Sequence, residues 1–140
     1  MTQIHSTGFL IWPCTRALTL ALVEEALAQA RRLQPGADCT PHYLHAEPMP
    51  DSGLLPGEFW EGRLHGLQRL FLLADQPPLQ VTPALAAALR QLARNGTQLV
   101  ALSAGVYPLA QVGLLDGYRA AVHWRWHDDF NERYPKVIAT

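Results

Sequence analysis

Ser103-Ala104-Gly105 closes the apolar run Leu99-Val-Ala-Leu102 and opens a second apolar segment, Val106-Tyr-Pro-Leu-Ala-Gln-Val-Gly113. A sharp strand-to-helix turn presents its pivot side chain at the C-terminal edge of a sheet, beside free N–H groups that attract an anion. Ser103 therefore occupies an elbow position. Its hydroxyl could serve as a nucleophile only with an adjacent general base and donors for an oxyanion. The pairs His123/His127 and His42/His45 have spacings that could suit zinc, but neither has a convincing third ligand, so structural histidines are expected, with no metal and no cofactor. Arg16 could pair with a carboxylate or stand as a solvated first-turn arginine. Cys14 is expected as a small buried hydrophobe ahead of a redox group. Trp12, Trp60, Trp124 and Trp126 could wall a cationic ligand, with at least two of them filling core instead.

The elements that must position these residues are legible as alternating apolar runs and helical stretches. Gly8-Phe-Leu-Ile-Trp12, ended by Pro13, predicts a strand buried on both faces. Thr15 is the expected N-cap of a helix over residues 16 to 33, its apolar stripe formed by Leu18, Leu22, Ala26 and Ala30 and its end marked by Pro35-Gly36. His42 to Ala46 predicts a second strand, and Pro48 to Gly66 a long irregular excursion. Leu70-Phe-Leu-Leu-Ala74 predicts a core strand that feeds the loop Asp75-Gln-Pro-Pro78, because proline cannot continue a central strand. Thr82 caps a helix with Pro83 in its first turn that runs to Arg94 and stops at Asn95-Gly96. Strand and helix in alternation predict crossover units and a parallel sheet covered on both sides.

The chain has 140 residues, 49% of them hydrophobic, which suits one globular domain. A formal net charge of -1 provides no electrostatic footprint for nucleic acid. Cys14 and Cys39 lack CxxC spacing, so a reducing cytoplasm is the simplest location. No positive region precedes Gly8 to Pro13, which argues against an export signal, and Ser103, Pro108 and Gln111 interrupt the apolar stretch from Leu99 to Leu115. No membrane partner is expected.

Ser103-Ala-Gly, Leu109-Ala, Gly113-Leu-Leu-Asp-Gly117, His123-Trp124 and Tyr134-Pro135, in this order and spacing, resemble the amidotransferase-like domain of AraC/XylS transcriptional regulators. That domain is itself similar to the class I glutamine amidotransferase (ThiJ/PfpI) superfamily, whose enzymes carry a cysteine at the elbow and a histidine nearby. Ser103 and His123 are the matching positions. The chain departs from the enzymes in having serine at the elbow, no acid in Cys14-Thr15-Arg16, and Ala74-Asp75 where a glycine pair often follows the strand.

The resemblance implies a flavodoxin-like three-layer αβα sandwich with a mainly parallel sheet. It implies one sensor domain over residues 1–140, lacking its last strand and helix, with the helix-turn-helix DNA-binding domain absent. Apolar surface left uncovered would favour a homodimer or exchanged elements. DNA contact would then come only through the absent domain. The expected function is effector sensing and dimerisation. A small metabolite, of the amino-acid or quaternary-amine class, would bind at the sheet edge among Cys14, Thr15, Arg16, Asp75, Ser103, Ala104, His123 and Trp124. The competing reading is a serine-dependent hydrolase or amidotransferase that uses Ser103 and His123. A third is a structural dimerisation domain whose inherited pocket is closed.

Overall fold

The first apolar run forms β1 (Thr7–Ile11), whose five residues are all buried. It lies at the centre of a five-stranded sheet in the computed structural model, which describes residues 6–34, 41–49, 55–77 and 80–140. β1 pairs in parallel with β2 (His42–His45) on one side and β4 (Arg69–Ala74) on the other. The edges are β3 (Glu58–Phe59), parallel to β2, and β5 (Gln98–Ser103), parallel to β4, so the order is β3-β2-β1-β4-β5. β3 corrects the expectation of an unbroken irregular stretch from Pro48 to Gly66. At two residues it is too short for an alternation pattern, and it is held by the ladder it forms with Leu44 and His45.

Alternate residues of β1 point to opposite faces of the sheet. Leu10 and Trp12 pack with Leu70, Leu72 and the helix α2 (Pro83–Arg94), which contributes Leu85, Leu89 and Leu92. Phe9 and Ile11 pack with Leu73 and Leu20 of α1 (Ala17–Leu33), backed by Val23 and Leu27. Helices therefore cover both faces, and the fold is a flavodoxin-like α/β sandwich. A third cluster joins α3 (Val106–Gln111) to α4 (His127–Arg133) through Val106, Tyr107, Ala110 and Phe130. β6 (Arg119–Ala120) and β7 (Ile138–Ala139) form a separate parallel pair beside it.

The predicted stripe of α1 is on the wrong side. Leu18, Leu22, Ala26 and Ala30 are exposed, and the core takes Leu20, with Val23 and Leu27 partly buried. Both sets follow helical spacing, and the face with Leu20 is the one that meets Phe9 and Ile11. The cap differs as well. Arg16, not Thr15, takes the N-cap position without a side-chain bond, while the Thr15 hydroxyl donates to the Leu73 carbonyl at 2.7 Å. For α2 the expected pair is observed: Pro83 begins the helix and Thr82 Oγ1 accepts from the Leu85 N–H at 3.2 Å. Pro35-Gly36, Cys39 and Pro78 lie outside the described residues.

Candidate functional site

Parallel strands end on one edge, and that edge gathers Cys14, Thr15 and Arg16 after β1, Asp75 after β4, and Ser103 with Ala104 at the end of β5. Ser103 sits opposite Ala74 in the ladder. Its φ of 56° places a non-glycine residue in the left-handed region, a strained conformation costing about 1 to 3 kcal/mol. Its side chain is exposed and makes no hydrogen bond among the described residues. Gly105 makes the turn possible. A Cβ there would lie 2.2 Å from the Leu72 carbonyl oxygen and 2.9 Å from that of Leu102, so only glycine lets α3 start so close to β4.

The N–H groups that follow the elbow are already occupied. Ala104 donates to the Ala74 carbonyl at 2.8 Å and Gly105 to the Leu102 carbonyl at 2.9 Å. Asp75 is engaged too. Its carboxylate accepts from the Arg16 N–H at 2.6 Å and from the Thr19 hydroxyl at 2.9 and 3.0 Å, and so caps α1 from the loop that follows β4. Cys14 Sγ donates to the Gln76 carbonyl at 3.6 Å. Ala104 is fully buried beneath the turn. The Arg16 guanidinium is exposed and forms no hydrogen bond or ion pair among the described residues.

His123 and Trp124 come from a different element. They open the 3-10 turn Trp124–Trp126, with Nδ1 of His123 accepting from the Arg125 N–H at 3.1 Å. An imidazole nitrogen that accepts a backbone N–H carries no proton, so in the neutral ring the proton resides on Nε2. That nitrogen then presents a donor, not a base. His123 stacks on Trp124 with centroids 5.5 Å apart, and the Arg125 guanidinium lies over the Trp124 ring, 5.7 Å from its centroid. Trp124 is 76% exposed, whereas Trp12 and Trp60 are buried in the core as expected for two of the four tryptophans. No hydrogen bond joins Ser103 to His123 among the described residues.

The turn that bears His123 is held by α3. Tyr107 is buried edge-on to Trp126, Phe130 and Tyr134, and its hydroxyl donates to Asp129 Oδ2 at 2.9 Å. Burial first, and then the bond to Asp129, push the Tyr107 phenol far above its ordinary value. Arg133, which donates to both oxygens of Asp129, and then Tyr107 hold that carboxyl below the usual range. This anchor was not foreseen, because Tyr107 read only as part of an apolar segment.

His45 Nε2 bonds the Pro56 carbonyl at 2.9 Å and His127 Nδ1 bonds Asn131 at 3.1 Å, and no group of three metal-ligating side chains occurs among the described residues. A hollow of about 370 Å³ lies away from the sheet edge, between α1 and β2, lined in part by Glu24, Arg31 and Tyr43.

No family model matches the chain. It is 66% identical over 140 residues to the HTH-type transcriptional regulator ArgR of Pseudomonas aeruginosa, an alignment covering 99% of this chain and 43% of that protein. An AraC family transcriptional regulator from Pseudomonas putida superimposes with a TM-score of 0.80 at 21% identity, covering 97% of this chain and 76% of that one. Over nearly its whole length the chain is similar to AraC-type transcriptional regulators. It spans less than half the length of the regulator it matches in sequence. The chain also shares its fold with one from Bacteroides thetaiotaomicron assigned as protease I, at a TM-score of 0.67 and 15% identity over 96% of this chain and 81% of that one. Among the described residues, no helix is long and apolar enough to cross a membrane.

Proposed function

We propose that this chain is the ligand-sensing and dimerisation domain of a bacterial, cytoplasmic AraC-type regulator, and that it is non-catalytic. One observation carries the reading. The elbow retains its strained, exposed pivot at Ser103, while the groups a catalytic elbow would need are tied up in structural bonds. Without an available base or oxyanion donors, a serine hydroxyl is a poor nucleophile but a serviceable hydrogen-bonding group.

The effector is a small metabolite, an amino acid or a quaternary amine, bound at the sheet edge among Cys14, Thr15, Arg16, Asp75, Ser103, Ala104, His123 and Trp124. With the Asp75 carboxylate turned to the α1 N-terminus, Arg16 is the group that takes an effector carboxylate. In the full-length regulator the bound state favours one disposition of the DNA-binding domain over another, which requires the ligand to bind the two states unequally.

Thermal-shift measurements on the chain against amino acids and quaternary amines test this, because a ligand that binds only the native state raises its stability. We expect hits whose shift is lost in Arg16→Ala. A panel without hits, or hits indifferent to Arg16→Ala, would overturn the site. Ester or amide hydrolysis abolished by Ser103→Ala would instead establish the hydrolase.

A further inference from the structure

The outward face of α1 carries more apolar surface than a solvated helix has use for. Leu18 is 68% exposed, Leu22 64% and Leu33 83%, and all three lie on one stripe with the exposed Ala26. Exposed leucines scattered singly are ordinary, but three on one stripe of a single helix form a contiguous patch of the kind that marks an interface. Charges flank the patch in a definite order. Glu25 and Arg32 lie two turns apart and therefore on the same flank of the stripe. Among the described residues, Arg32 forms no ion pair and the Glu25 carboxylate is bonded only through Oε1, to Gln29 at 2.7 Å.

That order is self-complementary under a two-fold axis. If two copies of α1 cross antiparallel with the axis between Gln29 and Ala28, Glu25 of one protomer faces Arg32 of its partner, and the pair is repeated by symmetry. The same register seats Leu33 between the Leu22 and Ala26 positions of the other copy, where the small alanine admits close approach. A parallel pairing would leave the Glu25 and Arg32 flanks of the two copies on opposite sides of the contact, where these charges do not meet. We propose that the exposed α1 stripe docks antiparallel on the same stripe of a second copy of this chain, with reciprocal Glu25–Arg32 ion pairs. The choice of a second copy rests on the reading of the chain as a dimerising domain; the surface and register come from α1 alone.

Charge exchange tests the register. Glu25→Arg and Arg32→Glu are both exposed changes that leave the fold unaltered by circular dichroism, and each alone places like charges across the axis. Sedimentation equilibrium is expected to show self-association weakened about tenfold or more in either variant at low salt, from repulsion replacing two attractions. An equimolar mixture of the two variants restores it, because each mixed pair is again opposite in sign. Leu22→Glu abolishes association, and no mixture with the charge variants rescues it. A dimer indifferent to these changes, or weakened without recovery on mixing, overturns the α1 surface while the dimer reading stands. A chain that stays monomeric at every concentration overturns both.

Discussion

Helices α1 and α2 have similar alanine- and leucine-rich compositions and flank the same sheet, yet they are attached in opposite ways. α2 sends its apolar stripe inward: Leu85, Ala86, Leu89 and Leu92 are buried, and its own Thr82 caps its first turn. α1 buries Leu20 alone, turns three leucines to solvent, and receives its cap from Asp75 in the loop after β4. An apolar stripe at helical spacing thus marks a surface that must be covered, but not by what. For α2 the cover is the sheet of the same molecule. For α1 the inward face is thin and the outward leucines are left in solvent.

The largest expected effect lies on the α2 side. Leu89→Ala empties a site with no solvent exposure between Leu72 and the other α2 leucines, and should cost about 2 to 5 kcal/mol in urea unfolding, the lost transfer energy plus a cavity. A loss below about 1 kcal/mol would mean that the α2 face is as loosely held as α1 and would dissolve the contrast.

The same contrast explains what could be read from the residues in order. β1, β4 and β5 are continuous apolar runs between breakers, and α2 carries both a start and a stop signal, so these elements and the parallel sheet were legible. The elbow was legible too, because a strand running straight into Ser-Ala-Gly and an apolar helix leaves Ser103 little other place to be. The face of α1 was not: Leu18, Leu22, Ala26 and Ala30 repeat as regularly as Leu20, Val23 and Leu27, and periodicity cannot choose between two apolar faces. The engagement of Asp75 was hidden because its partner, the Arg16 N–H, is distant in the chain and belongs to the backbone. His123 was recognised as the histidine of the motif, but the hydrogen bond that makes its Nδ1 an acceptor depends on a local turn that composition does not encode.

A smaller effect separates the two caps. Asp75→Ala removes the acceptor for the Arg16 N–H and leaves the Thr19 hydroxyl without its carboxylate, so about 1.5 to 3 kcal/mol is expected, as for hydrogen bonds to a charged group. Thr82→Ala removes one neutral bond to the Leu85 N–H and should cost about 1 kcal/mol. Asp75→Asn, which keeps an acceptor, should fall between them. Equal losses for Asp75→Ala and Thr82→Ala in the same urea titrations would show that the borrowed cap does no more than a local one.

The smallest expected effect is the most telling about α1. Leu22→Ala, measured at a dilution where the chain is monomeric, should change stability by no more than about 0.5 kcal/mol, since the side chain is already in water and alanine is at least as good a helix former. At high protein concentration the variant should fall behind the parent, because association adds stability only to chains that can associate. The two concentrations separate the possible roles of one residue. A loss of 2 kcal/mol or more at dilution, on the scale of a buried leucine, would place Leu22 inside the monomer's own packing, and α1 would then be a second α2. Stability that depends on concentration equally in parent and variant would put the association surface elsewhere on the molecule.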